Sequence, residues 1–356
     1  MRWFEQTGVH CVVDGQFGST GKGALSAFLA QRAFDMGWGS TNFGGCIYSG
    51  GPNSGHTCYF GEEKIVLKQL PTFAVYAGKL GLRVPVYLSA GAIIDQEILK
   101  KEAALYPDLR IYVHPNAAMV TDEDRREEEQ GSIAQVAGTR SGTGAALVRK
   151  IQRDPKAIAR ESLDRRGTNN VVLQEHALRP DKEAYFMEVS QGFSLGINSK
   201  FYPKVTSREC TVMQGLADAR LPAKSLAKVY MAVRTYPIRV GNVGGFSSGG
   251  WYNDQDETSW AELGVKPELT TVTQRVRRVA NFSMTQFFEA CLANDPDVVF
   301  ISHMDYLGRE GQLALLSDLY RAKEDMGKKF MILTGFGPYV QDIWEDIRAD
   351  HNSNNP

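Results

Sequence analysis

The stretch VVDGQFGSTGKGALSAFL, residues 12–29, decides the fold. It begins inside a short β-branched run, GVHCVVD (8–14), continues through closely spaced glycines, and ends in ALSAFLAQRAF, whose apolar side chains recur at helical spacing. Strand, glycine-rich loop and helix in that order open an α/β fold. A helix N-terminus behind such a loop is also an anion site, because its first N–H groups have no partner within the helix. The ordinary phosphate loop is G-x-x-x-x-G-K-[ST], and this one departs from it twice. Counting back from Gly21 and Lys22, Gln16 stands at the first glycine position, and Gly23 stands where a hydroxyl would ligate magnesium. What remains is G-x-x-G-x-x-G-K-G. Gly15, Gly18, Gly21 and Gly23 permit positive φ and close backbone approach to an anion, and Lys22 supplies the cation.

Apolar runs of the same kind recur at VPVYLSAGAII (84–94), RIYVHP (110–115), VVLQ (171–174), VVFISHM (298–304) and KFMILTGF (329–336), most of them beside helix-like segments. Short continuous runs suit strands covered on both faces, so the sequence reads as α/β with a central, mostly parallel sheet and long glycine-rich loops. No internal repeat or low-complexity linker divides residues 1–356, which predicts one domain. The charge run TDEDRREEEQGS (121–132) reads as a solvated helix face or mobile loop, and the closing SNNP as a frayed end.

The 356 residues are 43% hydrophobic, enough for a large core, and 40 Lys plus Arg nearly cancel 41 Asp plus Glu. No global charge therefore draws the chain to nucleic acid or to an acidic membrane face, and an anionic ligand must be held locally. Cys11, Cys46, Cys58, Cys210 and Cys291 are scattered, without a C-x-x-C pair. That pattern argues against a disulfide framework or a zinc site and for a reducing cytoplasm. There is no run of 18 apolar residues, and MRWFEQTGVH lacks the apolar stretch of a secretion signal, so neither a membrane span nor export is expected.

A second stretch, FGGCIYSGGPNSGHT (43–57), follows the opening loop. G-G-x-N-x-G-H-T behind G-x-x-G-K-G resembles adenylosuccinate synthetase, the ligase family that uses a nucleoside triphosphate to join aspartate to a 6-oxopurine nucleotide. Further matches run in order to the carboxyl end. AGTRSGTGAA (137–146), with Arg153 beyond it, is similar to the family's monophosphate-holding loop. MEVSQGFSLG (187–196) and YPKVTS (202–207) resemble its E-G-A-Q-G and Y-P-Y-V-T-S segments, and IRVGN (238–242) its R-V-G turn. VTQRVRR (272–278) resembles the arginine-rich aspartate loop, SHMD (302–305) the T-K-x-D of the guanine pocket, and LTGFGP (333–338) the terminal S-T-G-P. The resemblance covers essentially the whole chain and implies the family's fold and a homodimer.

Two departures bear on the substrates. The family loop reads G-D-E-G-K-G, and its aspartate is the catalytic base; here Ser19 stands in that place. A positioned base contributes roughly 10² to 10⁴ in rate, so an ordinary enzyme with this change would be badly impaired. A serine there resembles the phage branch of the family, which makes 2-amino-2'-deoxyadenylosuccinate from dGMP and aspartate for 2-aminoadenine DNA; the location is then the host cytoplasm. Serine is shorter than aspartate and both donates and accepts a hydrogen bond, which suits a purine with a 2-amino group beside N1. In the donor pocket Asp305 is retained, but His303 replaces the lysine, and Leu333, Thr334, Gly335 and Phe336 replace the closing motif. This altered rim favours ATP or dATP over GTP.

The roles that follow are implied by the resemblance. Ser19, Lys22, His56 and Gln191 form the catalytic set. Gly18, Thr20, Gly21, Gly23, Gly55, His56, Thr57, Asp305 and Gly335 hold the triphosphate nucleotide. Ser19, Asn53, Thr139, Arg153, Gln191, Thr206, Val240 and Gly241 hold the purine monophosphate, with Arg153 supplied by the partner subunit. Thr273, Arg275 and Arg277 hold L-aspartate, and Mg²⁺ sits near Ser19 and the carbonyl of Gly55. Two rival functions remain open: an ordinary adenylosuccinate synthetase using IMP and GTP, and a non-catalytic nucleotide-binding switch that has lost its base.

Overall fold

GVHCVVD forms strand β1 (Gly8–Asp14), buried throughout, and Lys22 is the first residue of helix α1 (Lys22–Asp35). The structure is a computed structural model and describes residues 3–39, 41–130, 138–243, 245–270 and 275–346. β1 lies inside a ten-stranded sheet, flanked by Ala184–Glu188 on one side and Leu226–Arg234 on the other. Beyond Ala184–Glu188 come Phe43–Tyr48, Val86–Leu88, Ile111–Val113 and Val171–Leu173. Beyond Leu226–Arg234 come Val298–Ser302, Met331–Gly335 and Ile343–Glu345. Every adjacent pair is parallel except the last, where Ile343–Glu345 runs antiparallel. This is the mostly parallel sheet that the apolar runs predict.

Alternation along the strands builds a core on each face. Val12 packs with Leu25, Phe28 and Leu29 of α1, whereas Cys11 and Val13 pack with Phe287, Leu316 and Leu319 on the other face. With both faces covered, a strand needs no polar side, which is why these runs read as continuously apolar. The five cysteines are free and buried, and burial raises each thiol above its usual range. Among the described residues no helix is long and apolar enough to cross a membrane.

The acidic run forms a helix, Asp122–Gln130, with residues 131–132 outside the described residues. Its outer face is exposed, as the solvated reading expects, but Asp124 and Glu128 are buried. Asp124 takes two 2.7 Å bonds from the Arg149 guanidinium, and Glu128 accepts from the amides of Gly142 and Gly144, capping the helix Thr143–Ile151. Residues four apart share one face of a helix, so the spacing of these two carboxylates gives that face a structural task.

Parallel strands all end on one side. Asp14, Glu188, Arg234, Ser302 and Gly335 are the last residues of their strands. Ligand crevices of open α/β sheets form at these carboxyl ends, where neighbouring connections diverge.

Candidate active site

The loop after β1 folds around the buried carboxylate of Asp14. Its Oδ1 accepts from the amides of Gln16 (2.8 Å) and Gly18 (3.2 Å); its Oδ2 accepts from the Thr20 hydroxyl (2.5 Å) and Lys22 Nζ (3.0 Å). Lys22 also donates to the Gln191 carbonyl at 2.7 Å, so its ammonium is fixed between two strand ends. Two glycines are required by close approach. A β-carbon on Gly23 would lie 2.3 Å from the Thr57 carbonyl oxygen, and one on Gly192 would lie 2.1 Å from the amide nitrogen of Gly18. Ser19 (φ 56°) and Gln191 (φ 69°) adopt left-handed backbone conformations, which cost a β-carbon-bearing residue about 1–2 kcal/mol. Both face the cavities.

Three adjoining cavities, of about 460, 140 and 570 Å³, open along the strand ends. The first is walled by Thr20, Gly21 and Gly23 of the loop, by Thr57, and by Asp305 on the far side. Ser19, Lys22, Gly55 and His56 line both this cavity and the small middle one, so they mark the seam between them. Gly18, Gly241 and Arg275 also line the middle cavity. Asn53, Thr139, Gln191 and Val240 are shared between the middle cavity and the largest, where Thr206 also lies. Arg277 borders all three.

Two expected residues fall elsewhere. Gly335 ends its strand behind the wall, with its β-carbon direction toward the Phe300 ring; Gly337 and Pro338, past the turn, line the first cavity instead. Arg153 is exposed beyond the C-cap of Thr143–Ile151 and lines none of the three cavities. Thr273 lies outside the described residues.

His56 is oriented from below. Its Nδ1 lies 2.9 Å from Glu188 Oε2, and the other oxygen of that fully buried carboxylate accepts from the Phe73 amide at 2.8 Å. Burial pushes the Glu188 carboxyl upward, but the bonds from His56 and the Phe73 and Thr72 amides outweigh it and hold the group below its ordinary range. An ionised Glu188 fixes the proton on Nδ1. Nε2 of His56 and Nε2 of Gln191 are then buried polar atoms without a partner among the described residues, both at the middle cavity. Unpaired buried polar atoms are costly, and two on one small cavity point to a polar ligand there.

The far wall of the first cavity is built around Arg234 and Glu268. The Arg234 guanidinium, fully buried, grips both oxygens of Glu268, and the Tyr306 hydroxyl donates to the same carboxylate at 3.1 Å. Burial opposes ionisation of Glu268, yet the charge and hydrogen bonds of Arg234 bring its pKa to about 2. Burial and Arg234 depress His303 to about 3, leaving a neutral imidazole whose Nδ1 meets the Ser302 hydroxyl at 2.7 Å. Burial raises the Asp305 carboxyl at the same rim.

The family model of adenylosuccinate synthetase matches residues 11–161 and 156–331. The chain belongs to the adenylosuccinate synthetase family. Within that family it is 36% identical to the N6-succino-2-amino-2'-deoxyadenylate synthase of Vibrio phage phiVC8, over 96% of this chain and 98% of the relative. It is 34% identical to the enzyme of the same name from Cyanophage S-2L, over 94% and 91%. The Methanocaldococcus jannaschii adenylosuccinate synthetase is more distant, at 27% over 84% and 83%. Among solved structures, the Cyanophage S-2L succinoaminodeoxyadenylate synthetase bound to dGMP and to dATP as energy donor superposes with TM-score 0.82 at 32% identity, over 98% of this chain and 97% of that one. A fully ligated Plasmodium falciparum adenylosuccinate synthetase has TM-score 0.70 at 15% identity, which shows the shared fold alone.

Asp14, Glu188, Arg234 and Glu268 are missing from the motif-based site. Asp14 sits inside the opening stretch, where an acid before a glycine-rich loop is a visible signal. The others act through contacts across 132 and 34 positions, which no local pattern encodes.

Proposed function

We propose that the protein is a ligase that joins L-aspartate to C6 of dGMP at the expense of ATP or dATP, giving 2-amino-2'-deoxyadenylosuccinate for 2-aminoadenine DNA. The observation that carries this reading is the position of Ser19. Ser19 puts a hydroxyl at the seam between the first cavity and the small middle one, which leads into the largest, beside His56 and Gln191 and where the ordinary family motif holds an acid. The phage relatives are named as synthases of N6-succino-2-amino-2'-deoxyadenylate, and the Cyanophage S-2L structure holds dGMP and dATP.

In this reading the donor lies in the first cavity with its terminal phosphate at the seam, and dGMP fills the other two, with O6 toward Gln191. O6 attacks the γ-phosphorus; the bond to the β-phosphate oxygen breaks, and a 6-phosphoryl purine forms as the N1 proton passes by way of the Ser19 hydroxyl to water. The aspartate amine then attacks C6, the C6–O6 bond breaks, and inorganic phosphate leaves with O6, taking up the proton that the amine loses. Phosphoryl transfer needs positioning and charge neutralisation more than covalent help. Lys22 and the loop amides supply both. Ser19 hydrogen-bonds the N1 side of the base, and the Gln191 amide holds O6. His56 presents Nε2 to the transferring phosphoryl group, while ionised Glu188 stabilises its cationic form. Arg275 and Arg277 pair with the carboxylates of aspartate, and Thr139 and Thr206 with the monophosphate.

Magnesium fits the seam chemically. The Ser19 hydroxyl and Gly55 carbonyl are hard oxygen donors bordering both nucleotide cavities, and this ion uses few protein ligands beside phosphates and water. When bound it would neutralise phosphate charge. The exposed Arg153, which lines none of the three cavities of its own chain, suits donation to a partner's monophosphate site in a homodimer.

The test is to incubate the purified protein with aspartate, magnesium and ATP, dATP or GTP, and to compare dGMP, GMP and IMP for phosphate release and succinyl-purine absorbance. Turnover of dGMP with an adenine donor is expected. Turnover of IMP alone would establish the ordinary reaction, and no turnover with any nucleotide would favour a binding switch.

A further inference from the structure

Arg234 touches both halves of the chemistry from behind the wall, lining none of the three cavities described above. Its backbone is clamped by the opening loop: Gln16 Oε1 accepts from its amide at 2.9 Å, and Gln16 Nε2 donates to its carbonyl at 3.1 Å. Its Nη1 donates to the Ser19 carbonyl at 3.2 Å and to Glu268 Oε2 at 3.1 Å, and its Nη2 holds Glu268 Oε1. Glu268 in turn begins a short antiparallel stem. Its carbonyl accepts from the Arg277 amide at 2.9 Å, Leu269 bridges Val276, and the Thr270 amide donates to the Arg275 carbonyl at 2.8 Å. One guanidinium thus connects the left-handed turn that presents Ser19 to the stem that presents Arg275 and Arg277.

A buried ion pair adds little net stability, because desolvating two charges cancels most of their attraction; what it supplies is a defined geometry. The geometry here is the distance between the phosphate loop and the aspartate-side arginines. Resting on the function proposed above, we propose that Arg234 and Glu268 are positioning residues that lock the arginine-bearing stem to the residue-19 turn, so that aspartate is recognised in register with the activated purine. Tyr306, which donates to Glu268 and borders the donor cavity, extends the same strut to the donor's rim.

The strut predicts a split in kinetic constants that general destabilisation would not produce. Glu268→Gln keeps size and one acceptor but loses the charge, and should raise KM for aspartate by about tenfold or more, the scale of a lost charge-assisted hydrogen bond. KM for dGMP should stay within about threefold, because the Thr139 and Thr206 walls are untouched. Arg234→Lys, which cannot reach Ser19 and both Glu268 oxygens together, should also lower kcat. The paired Arg234→Met, Glu268→Leu protein keeps a packed, uncharged interior. It should retain the wild-type circular dichroism and unfolding midpoint while losing aspartate recognition as severely as either single change. An unchanged KM for aspartate in folded Glu268→Gln, or equal rises in all three KM values, would overturn the strut and leave the proposed function standing. A wild-type protein that turns over dGMP poorly but binds it would instead count against the functional reading, and the strut would fall with it.

Discussion

Replacing Glu188 by Gln should separate the proton held on His56 from the packing that holds its ring. In the native site one carboxylate oxygen takes the His56 Nδ1 proton at 2.9 Å and the other takes the Phe73 amide at 2.8 Å. A glutamine amide has one acceptor and one donor end. If its oxygen stays with Phe73, its NH₂ faces Nδ1 and forces the proton onto Nε2, the wrong tautomer for a group that must become cationic. The charge stabilisation lost is about 4 kcal/mol for unit charges near 4 Å at an effective dielectric constant of 20, and about 1.5–3 kcal/mol if counted as one charge-assisted hydrogen bond. The two estimates bracket a kcat loss between roughly 10- and 1000-fold, with little change in KM, because the cationic form matters most as charge moves in the transition state. The assay is the initial rate of phosphate release at saturating dGMP, aspartate and ATP, beside a thermal melt of the same preparation. A Glu188→Gln enzyme within about threefold of wild-type kcat, while His56→Asn is strongly impaired, would refute the idea that this carboxylate acts through His56.

Four other outcomes are expected. Ser19→Asp should shift purine preference from dGMP toward IMP, read as the ratio of kcat/KM values; an unchanged ratio would show that residue 19 does not set it. Gly192→Ala and Gly23→Ala should each abolish donor binding in a folded protein, since the new methyl groups would collide with the Gly18 amide and the Thr57 carbonyl; calorimetric binding of ATP at wild-type strength would contradict this. Asp14→Asn should raise KM for ATP by about tenfold through loss of the Lys22 counter-ion, with KM for dGMP less affected. His10 is fully buried and depressed to about 4, chiefly by burial, so it is neutral in the native chain while the unfolded chain protonates it below pH 6.5. Stability therefore falls as pH drops from 6.5 toward 4, by about 2 kcal/mol at pH 5 from this group. Urea unfolding of wild-type and His10→Gln at pH 7.5 and 5 should show the smaller acid loss in the variant.

What could be read from the sequence is what is encoded locally. Glycine spacing and the helix behind it mark the phosphate loop, and N-S-G-H-T places His56 and Gly55 beside it, because backbone conformation is dictated within a few residues. The order of apolar runs likewise specifies a parallel sheet whose ends must share one side. Residues that act through a neighbour are harder to see. Glu188 lies in the quoted MEVSQG, but only the parallel pairing of its strand with β1 and Phe43–Tyr48 brings it under His56. Asp124 and Glu128 are indistinguishable in composition from the solvated acids around them; their burial depends on Arg149 and the Gly142–Gly144 amides arriving from a later segment. Gly335 and Gly337 differ only in where the strand stops, which is a boundary that apolar patterning does not define.

The central claim is that the purine's own O6 receives the phosphoryl group. dGMP labelled with ¹⁸O at position 6, incubated with aspartate, magnesium and ATP, should yield inorganic phosphate carrying one ¹⁸O and a succinylated product carrying none. Unlabelled phosphate accompanying product formation would contradict it.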